Sequence, residues 1–139
     1  MSGMSRVVYP SFPFRCYSNP DTYDGQDRVV TVTDPRQLTT TYTYNGFGEL
    51  LQLVSPDTGT STYTYDEAGN VKTATDARSM TTTYTYDALH RVTKIAFTSG
   101  APIRFQYDVG PNALGRLSRM IDEAGTTTWS YDLHGRVIQ

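Results

Sequence analysis

The chain has 139 residues, with 12 Lys and Arg against 14 Asp and Glu and a formal net charge of -2. That balance supplies neither the basic excess of a nucleic-acid binder nor a polybasic membrane patch, and no run of about 18 apolar residues exists for membrane insertion. The single cysteine, Cys16, excludes an intrachain disulfide and a cysteine-cluster zinc site.

Residues 1–16 read as an irregular arm or cap, with Phe12 and Phe14 set among Pro10, Pro13 and Pro20. The opening residues lack the apolar stretch of a secretory signal, so export uses another route or belongs to a longer parent chain. From residue 17 to 139 the chain repeats. A Tyr-Asp or Tyr-Asn pair falls at Tyr23, Tyr44, Tyr65, Tyr86, Tyr107 and Tyr131, spaced 21 residues apart four times and then 24. The longer interval holds an insertion between Tyr107 and Arg116. Six repeat units follow.

Each unit contains two strand signals. Before the pair, polar and aromatic residues alternate: Thr41-Tyr42-Thr43-Tyr44, Thr62-Tyr63-Thr64-Tyr65, Thr83-Tyr84-Thr85-Tyr86, Arg104-Phe105-Gln106-Tyr107 and Thr128-Trp129-Ser130-Tyr131. A period of two puts both aromatics of a unit on one face. With 22 Thr and 11 Tyr, both strand formers, the whole chain reads as all-β. After the pair comes a second run, such as Arg91–Phe97 or Glu49–Val54, whose alternation is too irregular to assign faces.

Between the two runs lie four turn residues, as in Asp66-Glu67-Ala68-Gly69. Asp or Asn first and Gly fourth suit a type I turn followed by a left-handed residue, the geometry of a bulged hairpin. Two units carry Asp27 and His90 in place of that glycine, and both types tolerate positive φ. Positive φ is therefore predicted at Asp27, Gly48, Gly69, His90 and Gly135. A second set of turn signals separates the units, at Asp34-Pro35, Pro56-Asp57, Asp76-Ala77, Gly100-Ala101 and Glu123-Ala124. Two turns per 21 residues describe an antiparallel meander forming a curved strip.

Catalytic chemistry has little to work with. His90 and His134 occupy turns, and no nucleophile elbow, phosphate loop or dinucleotide fingerprint accompanies them. The repeated aspartates have a local use in capturing turn N–H groups, so no metal site is read from them. No cofactor is implied. The aromatic rows remain as a ligand-face candidate: Tyr42, Tyr44, Tyr63, Tyr65, Tyr84, Tyr86, Trp129 and Tyr131. In register, these would form two parallel ladders offering rings to a glycan or a polypeptide client. A single-layer sheet also leaves two open edges, which favours self-association into a homo-oligomer.

These units resemble the RHS or YD-repeat family, most closely over Pro56 to Val71, Asp76 to Val92 and Asp122 to Val137. The resemblance implies a β-strip of an RHS-type shell, seen in polymorphic toxins, insecticidal toxin complexes and teneurins. In full-length members the strip spirals into a hollow cocoon around a toxin or unfolded polypeptide. It implies a non-enzymatic scaffold, a parent RHS shell as partner, and a secreted or cell-surface location. Six units are fewer than a closed shell needs, and no Asp-Pro-rich autoproteolytic motif follows Val137. The chain therefore reads as a fragment, a remnant or a small self-assembling version.

Overall fold

A computed structural model describes residues 21–138. The predicted N-terminal arm, residues 1–16, lies outside the described residues. Eleven strands form one sheet in sequence order, every neighbouring pair antiparallel. They are β1 (Thr22–Tyr23), β2 (Val29–Thr33), β3 (Thr39–Tyr44), β4 (Leu50–Ser55), β5 (Gly59–Tyr65), β6 (Val71–Thr75), β7 (Thr81–Tyr86), β8 (Val92–Phe97), β9 (Ile103–Tyr107), β10 (Leu117–Asp122) and β11 (Gly125–Thr128). No helix occurs among the described residues. This is the predicted meander.

The sheet is one layer thick, so it has no enclosed core. Ala113 and Ser118 are the only buried side chains among the described residues. Both belong to the inserted segment and the strand after it. The register separates the two faces chemically. Directly opposed residues share a face. The pairs Tyr42↔Leu53, Tyr63↔Ala74, Tyr84↔Ile95 and Phe105↔Met120 therefore lie on one side. Thr31↔Thr41, Thr64↔Thr73, Thr62↔Thr75 and Thr73↔Thr83 lie on the other. Threonine hydroxyls meet across that second face, at 2.6 Å for Thr64–Thr73 and 2.8 Å for Thr75–Thr81.

One feature departs from strict alternation in five of the six units. The first five Tyr-Asp hairpins shift register beside the turn: Tyr44 opposes Leu50 while Thr43 opposes Gln52. The same shift recurs at Tyr23, Tyr65, Tyr86 and Tyr107. One additional residue in the returning strand makes a β-bulge, and it scrambles the alternation that left those faces unassigned in the sequence.

The two expected aromatic ladders are not straight. Across the strands, the residue in line with Tyr42 after Leu53 is Ser61, not Tyr63. Beyond Tyr63, Ala74 leads to Thr82, not Tyr84. Each unit is thus offset by two residues from the last, and aliphatic side chains stand between the aromatic ones.

The last unit also differs from expectation. Its strand ends at Thr128, before Trp129. Trp129 N–H donates to the Ser118 carbonyl at 2.9 Å, and Tyr131 pairs with Val137 only as an isolated bridge. No further strand lies beyond this hairpin among the described residues, so its return segment is held from one side alone.

Candidate functional site: the tyrosine wedge and turn rim

The Tyr-Asp turns line up along one rim of the sheet, and all but the longer one from Asp108 to Arg116 are built the same way. Asp87 Oδ1 accepts from the N–H groups of Leu89 (2.9 Å) and Arg91 (3.0 Å), and His90 N–H donates to the Asp87 carbonyl. Asp24, Asn45, Asp66 and Asp132 repeat this capture. The fourth residue then takes positive φ. Asp27 (58°), Gly48 (88°), Gly69 (81°), His90 (60°) and Gly135 (75°) all do so, as predicted.

The residue after that position pairs with the turn's first residue. Arg28, Arg91 and Arg136 place Nε 2.6–2.7 Å from Asp24, Asp87 and Asp132. Where the arginine is replaced, the pair stays complementary. Asn70 Nδ2 still donates to an aspartate, Asp66, at 3.0 Å, whereas at Asn45–Glu49 the polarity reverses and Glu49 accepts from Asn45 Nδ2.

The same side chains connect one unit to the next. Between units the strands pair only toward the far rim: β4 meets β5 over Gln52–Ser55, and β6 meets β7 over Thr73–Thr75. Near the Tyr-Asp rim this leaves a wedge, where the carbonyls of Leu50, Val71, Val92 and Leu117 lie beyond the ladder's end. The following unit's tyrosine fills it. Tyr65, Tyr86, Tyr107 and Tyr131 hydroxyls donate to those carbonyls at 2.9, 2.8, 3.0 and 2.7 Å. Burial raises the pKa of Tyr65 and Tyr86 above the ordinary 10.0, with Glu49 and Asp66 respectively adding to it, so both hydroxyls stay protonated donors.

Arginine closes the wedge from above. Arg28 lies over the Tyr44 ring (4.8 Å), Arg91 over Tyr107 (4.3 Å) and Arg116 over Tyr131 (5.4 Å). Arg91 also reaches Asp108 of the next turn at 2.6 Å, and its pKa is raised by Asp108 first and Asp87 second. Arg28 Nη1 reaches the Asn45 carbonyl, and Asn70 Nδ2 reaches His90 Nδ1. His90 therefore serves a turn-to-turn contact.

This geometry sorts the proposed ligand-face tyrosines. The hydroxyls of Tyr65, Tyr86 and Tyr131 are engaged inside the sheet, and Tyr44 lies under Arg28. Tyr42, Tyr63 and Tyr84 make no hydroxyl hydrogen bond with another described residue. A groove of about 580 Å³ runs beside Tyr63, with Ser61, Ala74, Thr82 and Phe97 among its lining residues. Among the described residues, no group of His, Cys, Asp and Glu could hold a metal ion. Sequence reading missed the wedge itself, whose signal was the nearly constant spacing from each turn arginine or its substitute to the next unit's tyrosine, one residue shorter only from Arg116 to Tyr131.

The family model for the RHS repeat matches residues 23–60, 44–79, 65–102 and 112–139. This chain belongs to the RHS-repeat family. No curated protein matches it by sequence. Among solved structures, the RHS-repeat chain is similar to the crystal structure of TcdB2-TccC3-TEV (TM-score 0.67, 21% identity), covering 84% of this chain and 7% of that one. It is similar to a Photorhabdus luminescens Tc holotoxin pore carrying a TccC3 mutation (TM-score 0.66, 19% identity), covering 85% of this chain and 6% of that one. The crystal structure of TcdB2-TccC3-Cdc42 aligns with TM-score 0.70 and 19% identity, again over 85% of this chain and 6% of the other. At these identities the likeness establishes the RHS-repeat fold. The chain spans less than a tenth of the length of each.

Proposed function

We propose that this RHS-repeat chain is a non-enzymatic wall segment, a strip that tiles with copies of itself or with a parent shell of a toxin-type or surface protein. One observation carries the reading: in four successive units the tyrosine hydroxyl donates to a carbonyl of the preceding unit, and Arg28, Asn70 and Arg91 reach into the next turn. An array built like this extends by adding units and needs no closing element. A secreted or cell-surface location, and enclosure of a polypeptide client, follow from the family and belong to this proposal.

Excising one whole repeat, residues 45–65, should leave a folded sheet by circular dichroism. Excising residues 45–54 should not, because the remaining strands would then run in the wrong direction for pairing. Light scattering across micromolar concentrations should show association. A strict monomer throughout would remove self-tiling from the reading and leave only attachment to a parent shell. Flanking coding sequence without further repeats would then remove that as well.

A second reading has its own support in the groove beside Tyr63, whose hydroxyl is unclaimed: carbohydrate docking on the aromatic face. Binding on a glycan array that disappears in Tyr63→Ala or Tyr84→Ala, with the fold retained, would favour it. An array without binding ends it.

A further inference from the structure

Carboxylates and cations are distributed unevenly over this sheet. Most aspartates sit in turns at the two rims, where Asp24, Asp34, Asp66, Asp76, Asp87, Asp108, Asp122 and Asp132 accept from backbone N–H groups. Among the positions that the register assigns to the threonine face, the charged residues are Lys94, Arg104 and Arg119, all cationic, on three adjacent strands. None of their side chains makes an ion pair or hydrogen bond with another described residue. Lys94 directly opposes Arg104, an arrangement that repels unless an anion lies between them. Arg104 opposes Ile121, and Arg119 stands two residues along the same strand. Thr85, Gln106 and Ile121 complete a shallow groove of about 420 Å³ around the three cations.

We propose that this groove docks an acidic, extended polypeptide segment. Arg104 and Arg119 are diagonal neighbours, a relation that separates side chains by about 7–8 Å. In an extended chain, residues two apart on one face are separated by about 6.6–6.8 Å. A segment with a carboxylate at every second residue therefore meets both guanidinium groups at once, each through a planar, charge-assisted contact. Ile121 between them gives the segment's stem carbons an apolar seat. The inference rests on charge placement and stands whether or not the strip tiles.

The test is fluorescence anisotropy with the full chain and a labelled peptide of alternating Glu and Thr. The Glu peptide should bind, and its affinity should fall steeply from about 0.1 to 1 M salt, as the screening length shortens from about 10 to about 3 Å. R104Q/R119Q should weaken binding by roughly tenfold, and K94Q by less. R36Q/R78Q, which removes the same charge from the far rim, should leave binding unchanged. A Gln–Thr peptide that binds equally overturns the proposal, as does equal loss in R36Q/R78Q or no binding at all. A heparin fragment that binds where the Glu peptide does not would reassign the groove to sulfated glycans.

Discussion

The turn from Asp87 to Arg91 and the turn from Asp108 to Arg116 begin and end alike but differ in length by four residues. Both close with the aspartate N–H donating to the arginine carbonyl, at 3.0 and 3.1 Å. In the short turn Arg91 Nε pairs with Asp87 at 2.7 Å. In the long one Asp108 is engaged by Arg91 and by Gly115 N–H, and the buried Arg116 Nε has no partner. The insertion makes its own substitutes. Val109 N–H donates to Ser118 Oγ, Asn112 Nδ2 donates to the Tyr131 carbonyl, and Ala113 becomes the one buried hydrophobic side chain among the described residues. The lesson is that the ring closure fixes the strands, while the side chains inside the ring are exchangeable at a local cost.

Acid should affect the two turns most, because it reaches every rim aspartate together. Backbone N–H groups first, then arginine, hold Asp87 and Asp132 below the ordinary 3.8. Arg91 first, then Gly115 N–H, does the same for Asp108. A lowered folded pKa means the stabilisation is complete above about 3.8 and is lost as pH falls through the lowered values. Strand signal in circular dichroism should therefore hold at mild acidity and collapse below that point. A sheet that melts already near neutrality would contradict the assignment.

Gly135→Ala should cost about 2–3 kcal/mol in urea unfolding. Its φ is 75°, and an added Cβ would fall 2.6 Å from Arg116 Cζ, pushing the guanidinium off Tyr131. Gly46→Ala, with open space around it, should cost less than about 0.5 kcal/mol. Tyr86→Phe should cost about 1 kcal/mol through the lost bond to the Val71 carbonyl, while Tyr84→Phe should be close to neutral. The smallest effect belongs to removal of Val109–Asn112, which turns Tyr107–Arg116 into a regular turn. Arg116 should regain Asp108 as Ala113 loses its cover, leaving the unfolding midpoint within about 0.5 kcal/mol of the parent. A large loss there would mean that the insertion is integral to the sheet.

Much of this was legible in the chain because turn chemistry is local. Asp and Gly at fixed spacing determined the hairpins and the positive φ of His90. The far-rim turns carry the same geometry at Gln37 (67°) and Ser79 (62°), which sequence reading passed over because neither is glycine. The available signal was Asp34 and Asp76, whose carboxylates capture backbone N–H groups two and four residues on. The faces of the returning strands were illegible because the bulge depends on a partner across the ladder. The offset of the aromatic rows depends on register between units, which no short window contains.

The recurrent bulge has one more consequence. Each one increases right-handed twist where it occurs, and here all lie beside the same rim, one in each of the first five hairpins. Rotation therefore accumulates with a single sense and is never cancelled by a bulge on the opposite side. A longer run of such units therefore gathers twist of one hand along its length.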